Sequence, residues 1–189
     1  TVYKGSDQHL TIDSKLESKT LYAANKIACE QILYAYNSYY DIPFSILRIC
    51  VPYGNNVGHE YSYGTLQFFL DQWNKNKKIV LFGDGSAKRT LSHIDNICST
   101  LFAIAKSKDS VNSVYNMPGE TYSLAELALL ITKSSEKIIF KEWPEMHLKI
   151  ETGSTFFENK VLNTDPIIHP EGLLESWISE MHAKEVFDV

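Results

Sequence analysis

The stretch from Leu21 to Cys50 constrains this chain most. From Leu21 to about Tyr39 good helix formers dominate. Side chains of one face recur at three- and four-residue spacing: Tyr22, Ala23, Lys26, Ile27, Glu30, Leu33 and Tyr34. Asp41-Ile42-Pro43 ends the helix, because proline cannot continue it. Phe44 to Cys50 follows, a short and mostly apolar run that reads as a strand buried on both faces. A helix feeding directly into such a strand is a unit of a parallel sheet covered by helices.

The rest of the chain repeats the alternation. Residues 4–20 are polar and read as a loop. Pro52-Tyr53-Gly54-Asn55-Asn56 is turn chemistry. A helix is predicted from Gly64 to Trp73, and a strand from Ile79 to Phe82 that Gly83-Asp84-Gly85-Ser86 stops. Asp95 is placed to cap a helix running to about Lys106. Val114-Tyr115-Asn116 reads as a short strand. Ser123 with Glu126 three residues on forms a capping box that opens a helix to about Lys133. Lys137 to Lys141 is a strand and Glu171 to Met181 a final helix. The predicted fold class is α/β with parallel pairing.

Composition narrows the function. The 189 residues are 44% hydrophobic and 22% charged, which is globular and excludes disorder, collagen and coiled coil. The net charge is −5 and Lys and Arg form no long runs, which argues against a nucleic-acid or anionic-membrane surface. No apolar stretch reaches the roughly 18–20 residues a membrane helix needs; the best, Leu124 to Ile131, carries Glu126. Cys29, Cys50 and Cys98 are odd in number and widely spaced, which speaks against a disulfide framework or a zinc knuckle and fits a reducing cytoplasm. Each is expected to be a small buried apolar residue. No metal site is expected.

Tyr22 and Lys26 lie four apart on one helix face. A phenol titrates near 10, too high for a base at neutral pH, but an adjacent ammonium favours the phenolate. Such a pair can take a proton from a substrate hydroxyl. Spacing alone does not establish it, since chance places about one such pair in a chain with 11 Tyr. An amphipathic helix with a packed Tyr and a snorkelling Lys explains the same spacing.

The order of motifs says more. Tyr22-Ala-Ala-Asn-Lys26 is followed by Leu47-Arg48 and Pro52-Tyr53-Gly54. Phe82-Gly83-Asp84-Gly85 with Arg89 comes next, then His93-Ile94-Asp95, Tyr115-Asn116 and the Ser123 capped helix. This series resembles the C-terminal half of the extended short-chain dehydrogenase/reductase family, the NAD-dependent nucleotide-sugar epimerases and dehydratases, over nearly the whole chain. The resemblance implies the C-terminal portion of a Rossmann-type NAD-binding domain plus a small α/β substrate-binding domain. Residues 1–55 would be the remainder of the dinucleotide-binding domain. Residues 56–189 would mainly form the substrate domain, with 90–115 able to return to the Rossmann sheet.

The same resemblance assigns roles. Tyr22 would be the catalytic base and acid, and Lys26 would tune it and hold the nicotinamide ribose. Pro52 would line the nicotinamide pocket of NAD or NADP. Arg89 would hold the diphosphate of a nucleotide-sugar, a task suited to a planar guanidinium; a surface or inter-strand salt bridge is its alternative. Val51 and Tyr63, with Tyr61, Gly64 and Gln67 beside the latter, fall where the family places substrate contacts. His147 or Lys149 would supply a second phosphate contact. Arg48, inside an apolar strand, reads instead as a structural residue satisfied by backbone or a carboxylate. His93 reads as packed, and Gly83 to Gly85 as a plain turn at least as readily as a ligand contact. A homodimer through the Tyr22 helix is implied.

Three departures stand against full activity. The glycine-rich dinucleotide fingerprint is absent. The family's catalytic Ser or Thr would fall about two positions before Thr1. Val51 stands where the family often has Asn. These imply an upstream half of roughly 110–130 residues, enough for a few βα units. The chain alone would then lack turnover and expose an apolar sheet edge and face. With Thr1 where a dehydratase acid would stand, an epimerase or reductase is favoured. The rivals are a non-catalytic relic serving binding or dimerisation, and an extended short-chain reductase acting on a non-nucleotide carbonyl.

Overall fold

The computed structural model describes residues 2–54, 64–150, 153–158 and 173–183. Helix α1 (Leu21–Tyr40) leads into β1 (Ser45–Arg48) and β2 (Val51–Tyr53). Then come α2 (Thr65–Asn76), β3 (Ile79–Phe82), β4 (Lys88–His93) and α3 (Ile94–Lys106). β5 (Ser113–Asn116), β6 (Glu120–Ser123), α4 (Leu124–Thr132), β7 (Ile138–Lys141), α5 (Glu145–Leu148) and α6 (Leu173–Ala183) complete the order. The α/β expectation holds. No helix among the described residues is long and apolar enough to cross a membrane.

The strands form three small sheets, ordered β1-β5, β2-β4-β6 and β3-β7. Three of the pairings are parallel. The parallel pairing is as expected; the fourth pairing, β4 with β6, is antiparallel. Both of these strands escaped the sequence reading because their residues (KRTLSH and ETYS) are polar. Pro52 and Tyr53, expected in a turn, belong to the strand Val51–Tyr53, and positive φ comes only at Gly54.

Helix α1 starts where Thr20 Oγ1 accepts from the Ala23 N–H at 3.1 Å. It ends before Pro43, at Asp41, whose backbone is left-handed (φ 53°) and whose N–H donates to Asn37 O. The larger core gathers Leu66, Phe69 and Trp73 of α2, Leu81 of β3, Leu127 and Ile131 of α4, and Trp177 and Ile178 of α6. A smaller one joins Val2, Tyr3, Leu10 and Phe157, and Cys50 packs against both. Cys50 is half-buried, but Cys29 and Cys98 are exposed, which corrects the expectation of buried cysteines. They stand on the outward sides of α1 and α3.

The capping box of α4 is formed as expected: the Glu126 N–H donates to Ser123 Oγ at 3.2 Å and the Ser123 N–H to Glu126 Oε2 at 2.7 Å. The Ser123 hydrogen bonds hold the Glu126 carboxyl below its ordinary range. A depressed carboxylate stabilises the fold above its unfolded pKa and loses that contribution as pH falls through its folded one. Ser123→Ala is expected to cost about 1 kcal/mol in urea unfolding at neutral pH, and less at acid pH once Glu126 is protonated. An equal cost at both pH values would contradict the role given to Glu126.

Candidate active site

Tyr22 and Lys26 occupy the first turns of α1, where the Thr20 cap fixes the helix entry. Tyr22 is 63% exposed and Lys26 is also open to solvent. The Lys26 ammonium lies 5.6 Å from the centre of the Tyr22 ring. The phenol and the cation thus form one polar edge, as their spacing predicts.

Behind this edge α1 is tied to the sheet by a buried ion pair. Arg48 Nε donates to Glu30 Oε1 at 2.9 Å and Arg48 Nη2 to Glu30 Oε2 at 2.7 Å. Arg48 Nη1 donates to the Tyr3 hydroxyl, which donates in turn to Asn116 Oδ1 at 2.6 Å. Burial alone would lower the Arg48 pKa; the hydrogen bonds to Glu30 and Tyr3 outweigh it and keep the guanidinium protonated. Burial raises the Tyr3 phenol. Arg48 is thus the carboxylate-satisfied residue expected. The place of Tyr3 in the network is not legible in the sequence, because its partners Arg48 and Asn116 are distant in the chain.

Arg89 lies near the start of β4 and is half-buried. Its Nη1 donates to Gly153 O at 2.6 Å and to Lys88 O at 2.9 Å. The segment 153–158 runs alongside: the Thr155 N–H donates to Lys88 O, the Ser6 N–H to Ser154 O and the Leu10 N–H to Phe156 O. It splints β4 to the residues around Tyr3, so Arg89 and the Tyr3 network belong to one framework. This splint was missed; the apolar pair Phe156-Phe157 was its available signal.

On β2, Pro52 is exposed between two buried neighbours. Val51 pairs with Leu91 and lies in the larger core, so the structure does not place it on an open surface. Tyr53 is buried. Its hydroxyl and that of Tyr122 donate to Glu120, which also accepts the Leu174 N–H at the start of α6. Burial, reinforced by the Glu120 carboxylate, pushes both phenols up, which leaves them as neutral donors.

The remaining candidates separate. Tyr63 and Tyr61 lie outside the described residues. Gly64 precedes α2, and Gln67 donates to Asp71 Oδ1 at 3.0 Å within that helix. Lys149 is exposed just after α5, and the exposed His147 sits edge-on to Trp143. Gly83 and Gly85 both have positive φ, and the Asp84 carboxylate accepts from the Ser86 N–H and hydroxyl. Those bonds lower the Asp84 pKa and close a self-satisfied turn. Asp95 is not the cap of α3: His93 is, its Nδ1 accepting from the Asp95 N–H at 3.3 Å. The helix starts two residues earlier than expected, which moves Asp95 into the first turn. His93 also packs edge-on to Tyr53.

The chain is 25% identical over 178 residues to a UDP-glucuronate 4-epimerase of Thermodesulfobacterium geofontis, covering 90% of this chain and 53% of the relative. Its fold is similar to a UDP-N-acetylglucosamine 4-epimerase of Methanobrevibacter ruminantium, solved with UDP-N-acetylmuramic acid (TM-score 0.79, 16% identity, 99% of this chain and 60% of the other). It is also similar to a UDP-glucuronic acid 4-epimerase of Bacillus cereus, solved with UDP-glucuronic acid and NAD (TM-score 0.72, 19% identity, 94% and 56%). The chain spans between about a third and about half of the length of the curated relatives it matches. The family model described as the NAD dependent epimerase/dehydratase family matches residues 2–118, well over half of the chain. The chain belongs to the NAD dependent epimerase/dehydratase family.

Proposed function

We propose that this chain supplies the base and the phosphate-side contacts of a nucleotide-sugar 4-epimerase that uses NAD. The observation that carries the reading is the Tyr22–Lys26 edge at the capped start of α1, with the ammonium 5.6 Å from the phenol ring. The names of several curated relatives favour epimerisation over dehydration.

The residues present fit one end of the cofactor. Exposed Tyr22 and Lys26 offer a hydroxyl and an ammonium side by side, suited to the vicinal hydroxyls of a ribose, and exposed Pro52 offers a flat apolar contact. The sequence holds no glycine-rich fingerprint for the pyrophosphate, so its residues address the nicotinamide end alone. When bound, NAD supplies a reversible two-electron acceptor.

The chain's own work is proton transfer and grip. Tyr22, as phenolate, takes the proton from a sugar hydroxyl and later returns one to the keto-sugar. Lys26 stabilises that phenolate electrostatically. Arg89 holds the diphosphate, with Lys149 as a second cation. The exposed apolar side chains of α1, among them Tyr36, Tyr39 and Tyr40, suit a homodimer through that helix. The division into a dinucleotide-binding part at 1–55 and a mainly substrate-binding part at 56–189 belongs to the same reading.

The test is to incubate the full-length gene product with NAD and a panel of UDP- and dTDP-sugars and to separate the C4 epimers by chromatography. Conversion of at least one is expected; conversion of none overturns the reading. Arg89→Ala is expected to raise KM for the accepted sugar nucleotide by about 30-fold or more, from the roughly 2 kcal/mol of a charged hydrogen bond. An unchanged KM would remove Arg89 from the diphosphate site and favour a carbonyl substrate without a nucleotide.

A further inference from the structure

We infer that the buried Glu30–Arg48 pair, extended through Tyr3 and Asn116, is a positioning device that fixes where Tyr22 and Lys26 stand. The inference rests on the base assignment above. Helix α1 has twenty residues, yet among them only Ala23 and Glu30 are buried. Ala23 packs without direction, whereas Glu30 ties the helix to a strand through two defined hydrogen bonds. Glu30 lies one turn past Lys26 and two past Tyr22, so what fixes Glu30 fixes the turns that carry the proposed base.

The anchor is directional. Both Glu30 oxygens are engaged by the fork of Arg48, at 2.9 and 2.7 Å, which sets the rotation of the helix as well as its height over the sheet. Arg48 is itself held: Nη1 donates to Ile12 O at 3.1 Å, and the guanidinium carbon lies 4.9 Å from the Tyr3 ring centre. Asn116 is the register partner of Arg48 on β5 and donates to Leu10 O at 3.3 Å. The network thus references α1 to two strands and to the segment around Tyr3. A buried ion pair adds little stability over an apolar pair of the same size, whereas its geometry specifies one arrangement.

The test compares Arg48→Lys and Glu30→Asp with the parent in the full-length protein. Both variants keep the charges and break the two-point pairing: Arg48→Lys loses the fork, and Glu30→Asp draws the carboxylate back by one methylene. The readouts are kcat, KM for the sugar nucleotide, and hydrogen exchange. The expected result is a kcat lower by about tenfold or more with KM within about threefold, as misplacement of a reacting group gives. Exchange should quicken in the Tyr22–Glu30 stretch and stay unchanged in α4. Faster exchange with an unchanged kcat would overturn the inference, as would an unchanged α1. Faster exchange throughout both variants would assign the pair to global stability and overturn it too. Tyr22→Phe is run alongside: full turnover there sinks the base assignment, whereas a failed clamp leaves that variant inactive.

Discussion

Tyr22→Phe is expected to lower kcat by about 10²–10⁴-fold, the range a positioned general acid–base group contributes. The substitution deletes one oxygen and keeps the ring. Tyr22 is 63% exposed and packs little, so stability should move by no more than about 0.5 kcal/mol. Cofactor affinity should fall only by the one hydroxyl contact. Lys26→Met behaves differently. It leaves the phenol but removes the cation 5.6 Å from its ring, so it should weaken cofactor binding and lower kcat with the phenol still in place. The measurements are turnover and NAD titration by calorimetry. Retained turnover in Tyr22→Phe would sink the mechanism.

The sequence made the helix-to-strand units legible because their signals are local. α1 has its periodicity and break, α4 its capping box, and β3 its four apolar residues. What it concealed is set by partners distant in the chain. β4 and β6 carry polar residues whose strand character comes from pairing with each other across some thirty residues. Val51 reads as a ligand position by motif, yet its pairing with Leu91 turns it into the core. The juxtaposition of Tyr22 and Lys26 is legible because it lies within a single helix. The Tyr3–Arg48–Glu30 network was only half seen, since Arg48 declares a need for a carboxylate but not which one answers it. Asp95 shows the limit at a boundary, where His93 and Asp95 are both able to cap and geometry chose the histidine.

Gly119→Ala is expected to be the most damaging single substitution in the framework. Gly119 sits at the turn into β6, and a methyl there would lie 2.2 Å from Leu91 O and 2.6 Å from Ser92 Oγ. Neither can yield. Leu91 and Ser92 are 1% and 2% exposed, Leu91 is paired on both sides by Val51 and Glu120, and Ser92 Oγ donates to Pro118 O at 2.9 Å. The turn must instead lift from β4, which pulls Glu120 from the Tyr53 and Tyr122 hydroxyls and from the Leu174 N–H of α6. The cost should reach about 3 kcal/mol, the upper part of the overpacking range, or a Tm lower by about 6–12 °C for a chain of this length. Gly153→Ala is the control. Gly153 has φ 71° with open space around its Cβ position, so it bears only the left-handed backbone penalty of about 1–2 kcal/mol. A Gly119→Ala melt no lower than that of Gly153→Ala would mean that β6 does not approach β4 this closely. The Glu120 cluster that joins α6 to the β2-β4-β6 sheet would then need another anchor.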